Sequence, residues 1–352
     1  MRALAAALLL ALAGTAAAED VLYLYNWNNY ISDETIARFE KSCGCRLRQD
    51  YYSENEEMLA KLEAGAVGYD LLVPTGNAVE TLIRQGELRP LDKSRLPNLR
   101  NLKPEYRDLW YDPGGKYSVP YATSVTLIGY NREKMRELGL PTDTWALIFE
   151  PRHLAKIKGK VTVLNSQREL LGAAMRYLGY SVQERDPARW DEAKAVILRA
   201  KPYWAAFSNS TYIKDLAIGN IWVAHGYSND MFRAREDARA AHRPFSIGFE
   251  TPKEGAIFAV DGFVLHKSGK RPDLAHRFID FMLEGRNAAD VSNLIGAGNP
   301  NAAAMAYVNP GIAGDRAIFP TPADLAHLET VRDFDPALRR TLSRLWTEIK
   351  VR

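Results

Sequence analysis

Residues 21–74 read VLYLYNWNNYISDETIARFEKSCGCRLRQDYYSENEEMLAKLEAGAVGYDLLVP, and this opening predicts the architecture of the chain. Segments 21–25, 46–52 and 71–74 are predicted β-strands. The first is almost continuously apolar, which is typical of a strand buried on both faces of a parallel sheet. Helical patterns fill both intervals, so the order β-α-β-α-β predicts the start of an α/β lobe.

The helix boundaries within this stretch follow from residues that cap helices. Ser32 or Asp33 can accept a hydrogen bond from the first free amides of a helix that carries Ile36 and Phe39 on one face. Gly65 is suited to end the second helix because glycine adopts the left-handed backbone conformation at no steric cost. Both predicted helices are therefore short and amphipathic.

The same alternation returns further along the chain. It predicts strands at 161–164, 221–224 and 255–266 and helices at 169–177, 190–198, 272–283, 287–294 and 335–350. The sequence shows neither a heptad run nor an internal repeat. The pattern predicts two α/β lobes of similar size, with segment 255–266 returning to the first lobe.

Composition excludes several classes of protein. The chain has 352 residues, of which 47% are apolar and 25% charged, and it includes 7 Trp, 17 Tyr and 12 Phe. A chain so rich in aromatic residues collapses, which excludes intrinsic disorder. The net charge of +3, with dispersed basic residues, argues against nucleic acid as a partner.

The first eighteen residues have the pattern of a secretory signal peptide. Arg2 precedes an apolar run, and Ala16-Ala17-Ala18 fits the rule for cleavage before Glu19. A membrane anchor is the alternative, but the apolar run is too short to cross a hydrocarbon core of about 30 Å. We therefore predict export to the periplasm, with residues 1–18 removed.

A search for catalytic and cofactor motifs finds none. The sequence contains no G-x-S-x-G, P-loop, H-E-x-x-H or G-x-G-x-x-G motif, and its six histidines lack ligand spacing, so neither cofactor nor metal is expected. Cys43-Gly44-Cys45 is the one cysteine pair, and a bond between its sulfurs would need a turn at Gly44. We predict a structural pair, bonded or free.

Residues that follow predicted strands are candidates for ligand binding, since ligands of open α/β sheets bind beyond the carboxyl ends of strands. The first strand leads into Trp27, Asn28 and Tyr30, and the third leads into Thr75. The aromatic residues could simply cover a sheet edge, but the interposed amide favours recognition of a ligand.

Carboxylates occupy comparable positions later in the chain. Glu169 lies near a helix start, and Tyr227 and Asp230 come after a predicted strand. Asp261 lies inside the apolar run 258–265, where a buried carboxylate must be paired, hydrogen-bonded or protonated. A local ion pair or a turn cap would also account for Asp261.

Several motifs, in order along the chain, resemble those of one family. They are Y-N-W-x-x-Y-I, Y-D-L-L-V-P-T-G, P-L-D-K-S-x-L-P-N, V-P-Y, G-Y-N, G-x-I-x-V-A-x-G-Y-x-x-D and P-K-E-G-A, at 25–31, 69–76, 90–98, 119–121, 129–131, 219–230 and 252–256. The sequence is similar to the periplasmic polyamine-binding proteins of ABC importers, which capture putrescine or spermidine.

The resemblance implies a two-lobed periplasmic binding protein fold of type II, with hinge crossovers between the lobes. The expected limits are 19–127 for the first part of lobe 1, 128–256 for lobe 2, 257–303 for the return to lobe 1, and 304–352 for the return to lobe 2 with the C-terminal helix. The implied partners are a polyamine and the membrane permease subunits of an ABC importer, and a monomer is expected.

The family's ligand-binding positions carry over to residues of this chain one by one. They fall on Trp27, Asn28, Tyr30, Thr75, Glu169, Tyr227, Asp230 and Asp261. Polyamines carry ammonium groups separated by methylenes, so carboxylates bind the charges and aromatic faces supply apolar contact and cation–π attraction. The matched set contains three acids and no basic residue.

Two departures from the family pattern leave the preferred amine open. Ala259 and Ala297 stand where relatives commonly carry aromatic rings, so we expect a wider cleft that suits spermidine or a substituted diamine. Phe258 or Tyr307 could compensate by filling the space.

Two other classes of function remain open from the sequence. A receptor for a sugar or another neutral solute would also use aromatic faces, and it is disfavoured by the three acids. A secreted hydrolase is disfavoured by the missing nucleophile and base.

Overall fold

The computed structural model describes residues 20–351. The predicted signal peptide, residues 1–18, and its cleavage point between Ala18 and Glu19 lie outside this range.

Within that range the strands form one mixed sheet. Their bounds are β1 (Asp20–Trp27), β2 (Cys45–Tyr52), β3 (Leu71–Leu72), β4 (Leu88–Arg89), β5 (Ser118–Asn131), β6 (Val161–Val163), β7 (Ala206–Phe207), β8 (Val223–Tyr227), β9 (Ile247–Glu250), β10 (Ala256–His266) and β11 (Leu328–Glu329). The main path runs β2-β1-β3-β10-β5-β8-β6-β7, while β4 and β11 pair with β10, and β9 pairs with β5.

Helices cover the sheet. Their bounds are α1 (Asp33–Cys43), α2 (Asn55–Glu63), α3 (Gly76–Gln85), α4 (Arg132–Leu138), α5 (Ala146–Phe149), α6 (Pro151–Leu154), α7 (Gln167–Tyr177), α8 (Pro187–Ala200), α9 (Thr211–Ile218), α10 (Ser228–Ala240), α11 (Pro272–Met282), α12 (Gly285–Ile295), α13 (Pro310–Ala313), α14 (Pro322–Leu325) and α15 (Pro336–Val351). Short 3₁₀ turns occupy 93–95, 97–101, 104–106, 155–157, 201–203 and 303–306.

The predicted β-α-β-α-β opening is confirmed. β1 pairs in parallel with β2 and with β3, and Ser32 caps α1 by accepting a hydrogen bond from the Thr35 amide. Burial of β1 on both faces holds for Leu24 and Tyr25, whose side chains pack into separate cores. It is wrong for Tyr23, which is 46% exposed.

Two long strands join the halves of the molecule. On β5, Ala122 belongs to the core around β1, whereas Val125 belongs to the core around β6 and β8. On β10, Phe263 belongs to the core around β1, whereas Ile257 belongs to the core around β6 and β8. Each strand therefore passes from one lobe to the other. The predicted lobe limits at 127/128, 256/257 and 303/304 stay predictions.

The two cysteines are bonded. Cys43 and Cys45 form a disulfide across Gly44, which has a positive φ of 65° and ends α1. Glycine meets this backbone requirement without a steric penalty, so the turn that the pairing needed is present.

One strand prediction needs correction. The predicted strand 221–224 lies at Val223–Tyr227, since its register is set by pairing with β5, where Thr126 lies opposite Tyr227. None of the helices in residues 20–351 is both long and apolar enough to cross a membrane.

Candidate functional site

Strand ends from both lobes converge on one cavity. In lobe 1, β1, β2 and β3 run parallel, and in lobe 2, β6, β7 and β8 run parallel. The residues that follow their carboxyl ends line a cavity of about 830 Å³. Parallel strands present their carboxyl ends at one edge, which is why ligand sites form there.

All eight predicted site residues line this cavity. From lobe 1 come Trp27, Asn28, Tyr30 and Thr75, from lobe 2 come Glu169, Tyr227 and Asp230, and from the crossing strand β10 comes Asp261. Their roles toward a ligand stay predictions.

Aromatic rings of lobe 1 form one wall. Trp27 is the last residue of β1, and its indole N–H donates to the Val73 carbonyl at 2.8 Å. Its ring lies 4.5 Å from that of Tyr52 and 6.3 Å from that of Tyr30, centroid to centroid. Tyr52 is fixed in turn by a 2.6 Å hydrogen bond to the same carbonyl. Hydrogen bonds to one carbonyl thus orient both the Trp27 and the Tyr52 rings.

Asp261 is held by two hydroxyl groups. Thr75 Oγ1 donates to Asp261 Oδ1 at 2.6 Å, and the Tyr30 hydroxyl donates to Oδ2 at 2.9 Å. Thr75 is the N-cap residue of α3, yet its hydroxyl makes no cap hydrogen bond. A register shift between Asp261 and Gly262 interrupts the ladder with β5, and such irregularities redirect side chains next to functional sites.

Burial raises the pKa of Asp261 to about 6, although the two hydroxyl donors act in the opposite direction. Asp261 is only 4% exposed, so water solvates its charge poorly. A cation in the cavity would therefore stabilise the ionised form.

Two further carboxylates come from the first turns of lobe 2 helices. Glu169 lies in the first turn of α7 and accepts a 2.6 Å hydrogen bond from the Thr126 hydroxyl. Asp230 lies in the first turn of α10 and accepts hydrogen bonds from the Tyr212 hydroxyl and, at 3.2 Å, from the Asn229 amide. Helix N-termini stabilise such negative charges.

Burial is nevertheless the largest influence on the pKa of both carboxyls. It raises the pKa of Glu169 to about 7 and that of Asp230 to about 6, against the hydrogen bonds from Thr126 and Tyr212. Tyr227, predicted to follow the strand, is instead the last residue of β8, and its side chain lines the cavity from there.

Three further acids of the cavity wall were not predicted as site residues, and Glu54 is the least exposed of them. Glu54 directly precedes α2, and it accepts a 2.7 Å hydrogen bond from the Asn209 amide of lobe 2. Burial, reinforced by Glu56 and Glu169, raises its pKa to about 8. Its position after β2 follows the same strand-end rule that found the other residues, so the signal was present in the sequence.

Two arginines also line the cavity, although the matched set contained none. Arg168 bonds to Glu56 at 3.0 Å, and Arg233 bonds to Asp237 at 2.9 Å. Six acids line the same cavity, namely Asp33, Glu54, Glu56, Glu169, Asp230 and Asp261. Acids therefore remain in excess.

The structure separates the two positions where relatives commonly carry rings. Ala259 lines the cavity on the same side of β10 as Asp261, whereas Ala297 packs in the lobe 1 core and is absent from the cavity wall. The expected opening at 297 is therefore wrong. Neither Phe258 nor Tyr307 lines this cavity. Tyr307 is 55% exposed, whereas Phe258 lines a small adjoining cavity together with Ala259.

The arrangement suits an organic cation with apolar segments. Aromatic faces and buried carboxylates are the groups that attract ammonium ions, and both line one cavity here. Within residues 20–351, no cluster of three or more His, Cys, Asp or Glu side chains is arranged to hold a metal ion.

Comparison with known proteins assigns the family. A family model described as bacterial extracellular solute-binding protein matches residues 34–320. The chain belongs to this family. Its members bind solutes, which agrees with the cavity between two lobes.

Named relatives extend over nearly the whole chain. A putrescine/cadaverine-binding protein of Pseudomonas aeruginosa is 54% identical over 346 residues, 98% of each chain. A putrescine-binding periplasmic protein of Escherichia coli is 36% identical, covering 98% of this chain and 96% of the relative. A solved spermidine/putrescine ABC transporter substrate-binding protein of Streptococcus pneumoniae is 26% identical, with a TM-score of 0.81 over 94% of this chain and 99% of that one.

Proposed function

We propose that the protein is a periplasmic receptor that binds a polyamine in the interlobe cavity and delivers it to the permease of an ABC importer. The observation that carries this proposal is the excess of carboxylates over basic groups in a cavity with an aromatic wall. The relatives named for putrescine, cadaverine and spermidine support the same class of ligand.

Each proposed ligand contact has a physical reason. Asp261, Glu169 and Asp230 would accept hydrogen bonds from ammonium groups, while Trp27 and Tyr30 would cover the methylenes. Burial raises the pKa of all three carboxyls, so it opposes their ionisation while no cation is present. Ligand charge would remove that opposition.

A neutral-solute receptor remains the second candidate function. Aromatic faces such as Trp27 would serve a sugar equally well. The acids argue against it, because a neutral ligand would leave several buried carboxylates without a compensating charge.

Calorimetric titration separates these candidates. We expect 1,4-diaminobutane or spermidine to bind, with affinity near the micromolar range, which corresponds to about −8 kcal/mol. Scattering on the same samples should show a smaller radius of gyration when the amine is saturating, since such receptors close about a hinge. Binding of sugars but not amines, or turnover of the amine, would refute the proposal.

Ala259→Trp should change the preference among amines. The new ring would enter the space beside Asp261 and a small adjoining cavity of about 80 Å³. We expect 1,4-diaminobutane to bind about 0.5–2 kcal/mol more tightly, the range of a cation–π contact, and spermidine to bind more weakly. Calorimetry with both amines gives the ratio of the two affinities.

The matched control is Ala205→Trp, at an exposed position outside the cavity. That variant should leave both affinities as they are. An unchanged ratio in Ala259→Trp would show that residue 259 does not contact the amine.

A further inference from the structure

A second chamber adjoins the main cavity on the side of lobe 2. It has a volume of about 380 Å³, and we call it the C-terminal chamber because α15 forms one of its walls. Its apolar lining includes Leu171, Val182, Trp190, Phe334, Leu342 and Trp346. This size and this lining are typical of pockets for small organic groups.

The two cavities share part of their walls. Glu54, Glu56, Ser166 and Arg168 line both of them. Glu54 and Glu56 belong to lobe 1, whereas the apolar lining belongs to lobe 2, so the junction between the cavities is an interlobe contact.

Arg168 of lobe 2 and Glu56 of lobe 1 form an ion pair at this junction. The Arg168–Glu56 pair measures 3.0 Å, and its side chains are 27% and 60% exposed. Exposed pairs of this kind contribute little to stability, so the two side chains can separate at small cost. A ligand could therefore extend from the acidic cavity into the apolar chamber.

The lining of the C-terminal chamber suits hydrocarbon groups, whereas that of the main cavity suits ammonium groups. Trp190 and Phe334 meet edge to face with centroids 5.7 Å apart, and both residues line the chamber. Apart from Glu54 at the junction, the charged residues of the chamber are already paired: Arg168 with Glu56, and Asp333 with Arg84 and, at 4.0 Å, with Arg339. An ammonium group gains little from such a lining, whereas a hydrocarbon group gains from burial.

We propose that the C-terminal chamber receives an apolar substituent carried on one nitrogen of a diamine whose ammonium groups occupy the main cavity. This inference rests on the proposed function, since it needs the amine in that cavity. Volume is sufficient for an aromatic ring, because an apolar cavity of about 150 Å³ already accommodates benzene.

N-benzyl-1,4-diaminobutane and 1,4-diaminobutane are the probes. Ser343 is an exposed residue of α15 that lines the chamber, so Ser343→Trp fills it without disturbing the core. In this variant we expect the benzyl amine to bind about tenfold more weakly or worse, the effect of leaving a ring in water. Binding of unsubstituted 1,4-diaminobutane should stay within about twofold, since that amine does not need the chamber.

The matched control is Thr347→Trp, at an exposed position one turn further along α15 that does not line the chamber. It should leave both affinities unchanged. Equal effects of the two variants, or no effect of Ser343→Trp on the benzyl amine, would overturn the chamber proposal. Failure of the unaltered protein to bind either 1,4-diaminobutane or spermidine would instead refute the proposed function.

A crystal complex with N-(4-bromobenzyl)-1,4-diaminobutane gives a test that needs no variant. We expect the anomalous bromine peak between Trp190 and Trp346. A peak at the mouth of the main cavity, or in the space beside Ala259, would overturn the assignment to this chamber.

Discussion

Replacing Asp261 with asparagine is expected to weaken binding of 1,4-diaminobutane by about 1.5–3 kcal/mol, the range of a hydrogen bond to a charged group. The carboxylate is fixed by Thr75 at 2.6 Å and Tyr30 at 2.9 Å, so it cannot move away from a ligand placed beside it. Asparagine keeps the shape but removes the charge. Calorimetry at pH 7.5 measures the loss.

Stability distinguishes this effect from damage to the fold. Because burial raises the pKa of Asp261 to about 6, ionisation of the carboxyl destabilises the ligand-free protein at neutral pH. The variant should therefore melt no lower than the original protein while binding more weakly. Asp280→Asn, which alters a carboxylate bonded to Asn98 outside the cavity, should leave affinity unchanged. Unchanged affinity in Asp261→Asn would remove Asp261 from the site.

The strand-end rule accounts for most of what the sequence predicted about the site. Trp27 ends the first strand, Thr75 follows the third, and Glu169 comes after β6, and parallel pairing within each lobe brings the carboxyl ends of its strands to one edge. The pattern of apolar residues was enough because each strand is buried in a core of its own lobe.

Of the two crossing strands, β10 was predicted at 255–266, whereas β5 was not predicted. β5 runs from Ser118 to Asn131, and polar residues interrupt its apolar pattern where it passes between the lobes. Ser124 lines the cavity there, and Thr126 bonds to Glu169. These residues serve the site rather than the core, so hydrophobic periodicity gives no signal for a continuous strand.

Two predictions failed where the position of a residue depends on distant parts of the chain: Glu54 was not predicted as a site residue, and Ala297 was wrongly expected to line the cleft. The position of Glu54 after β2 could have indicated a site residue, but no local pattern indicates its contact with Asn209, which lies 155 residues away in sequence. The resemblance suggested an opening at Ala297, yet that residue is buried in lobe 1. Contacts between distant segments decide both cases.

Affinity for a diamine is expected to rise steeply with pH between 5 and 8. Burial raises the pKa of Asp230 and Asp261 to about 6 and that of Glu169 to about 7, so these groups hold protons at pH 5 in the ligand-free cavity. The groups that act on them are the hydroxyls of Tyr212, Thr75, Tyr30 and Thr126, and the charges of Arg168 and Glu56. Alkylammonium groups titrate near pH 10 or above, so the ligand keeps its charge throughout.

The sign of the effect follows from proton release. A bound ammonium favours the ionised carboxylates, so each carboxyl that must lose a proton costs about tenfold in affinity for every pH unit below its pKa. Together the three groups are expected to weaken binding at pH 5 by roughly 10²–10⁴-fold relative to pH 8. In the ligand-free protein the same raised pKa values lower stability as pH rises from about 4 to about 7, so saturating ligand should raise the melting temperature more at pH 8 than at pH 5.

Calorimetry in two buffers of different ionisation enthalpy measures the protons directly. At pH 6 we expect release of about one to two protons per diamine bound, since Asp230 and Asp261 are then half protonated and Glu169 mostly so. Asp261→Asn removes one titrating group, so its affinity should depend less steeply on pH while keeping the same direction. A flat profile between pH 5 and 8, with no difference between buffers, would mean that the diamine does not bind against these carboxylates, because a cation placed beside buried carboxyls of raised pKa must displace their protons.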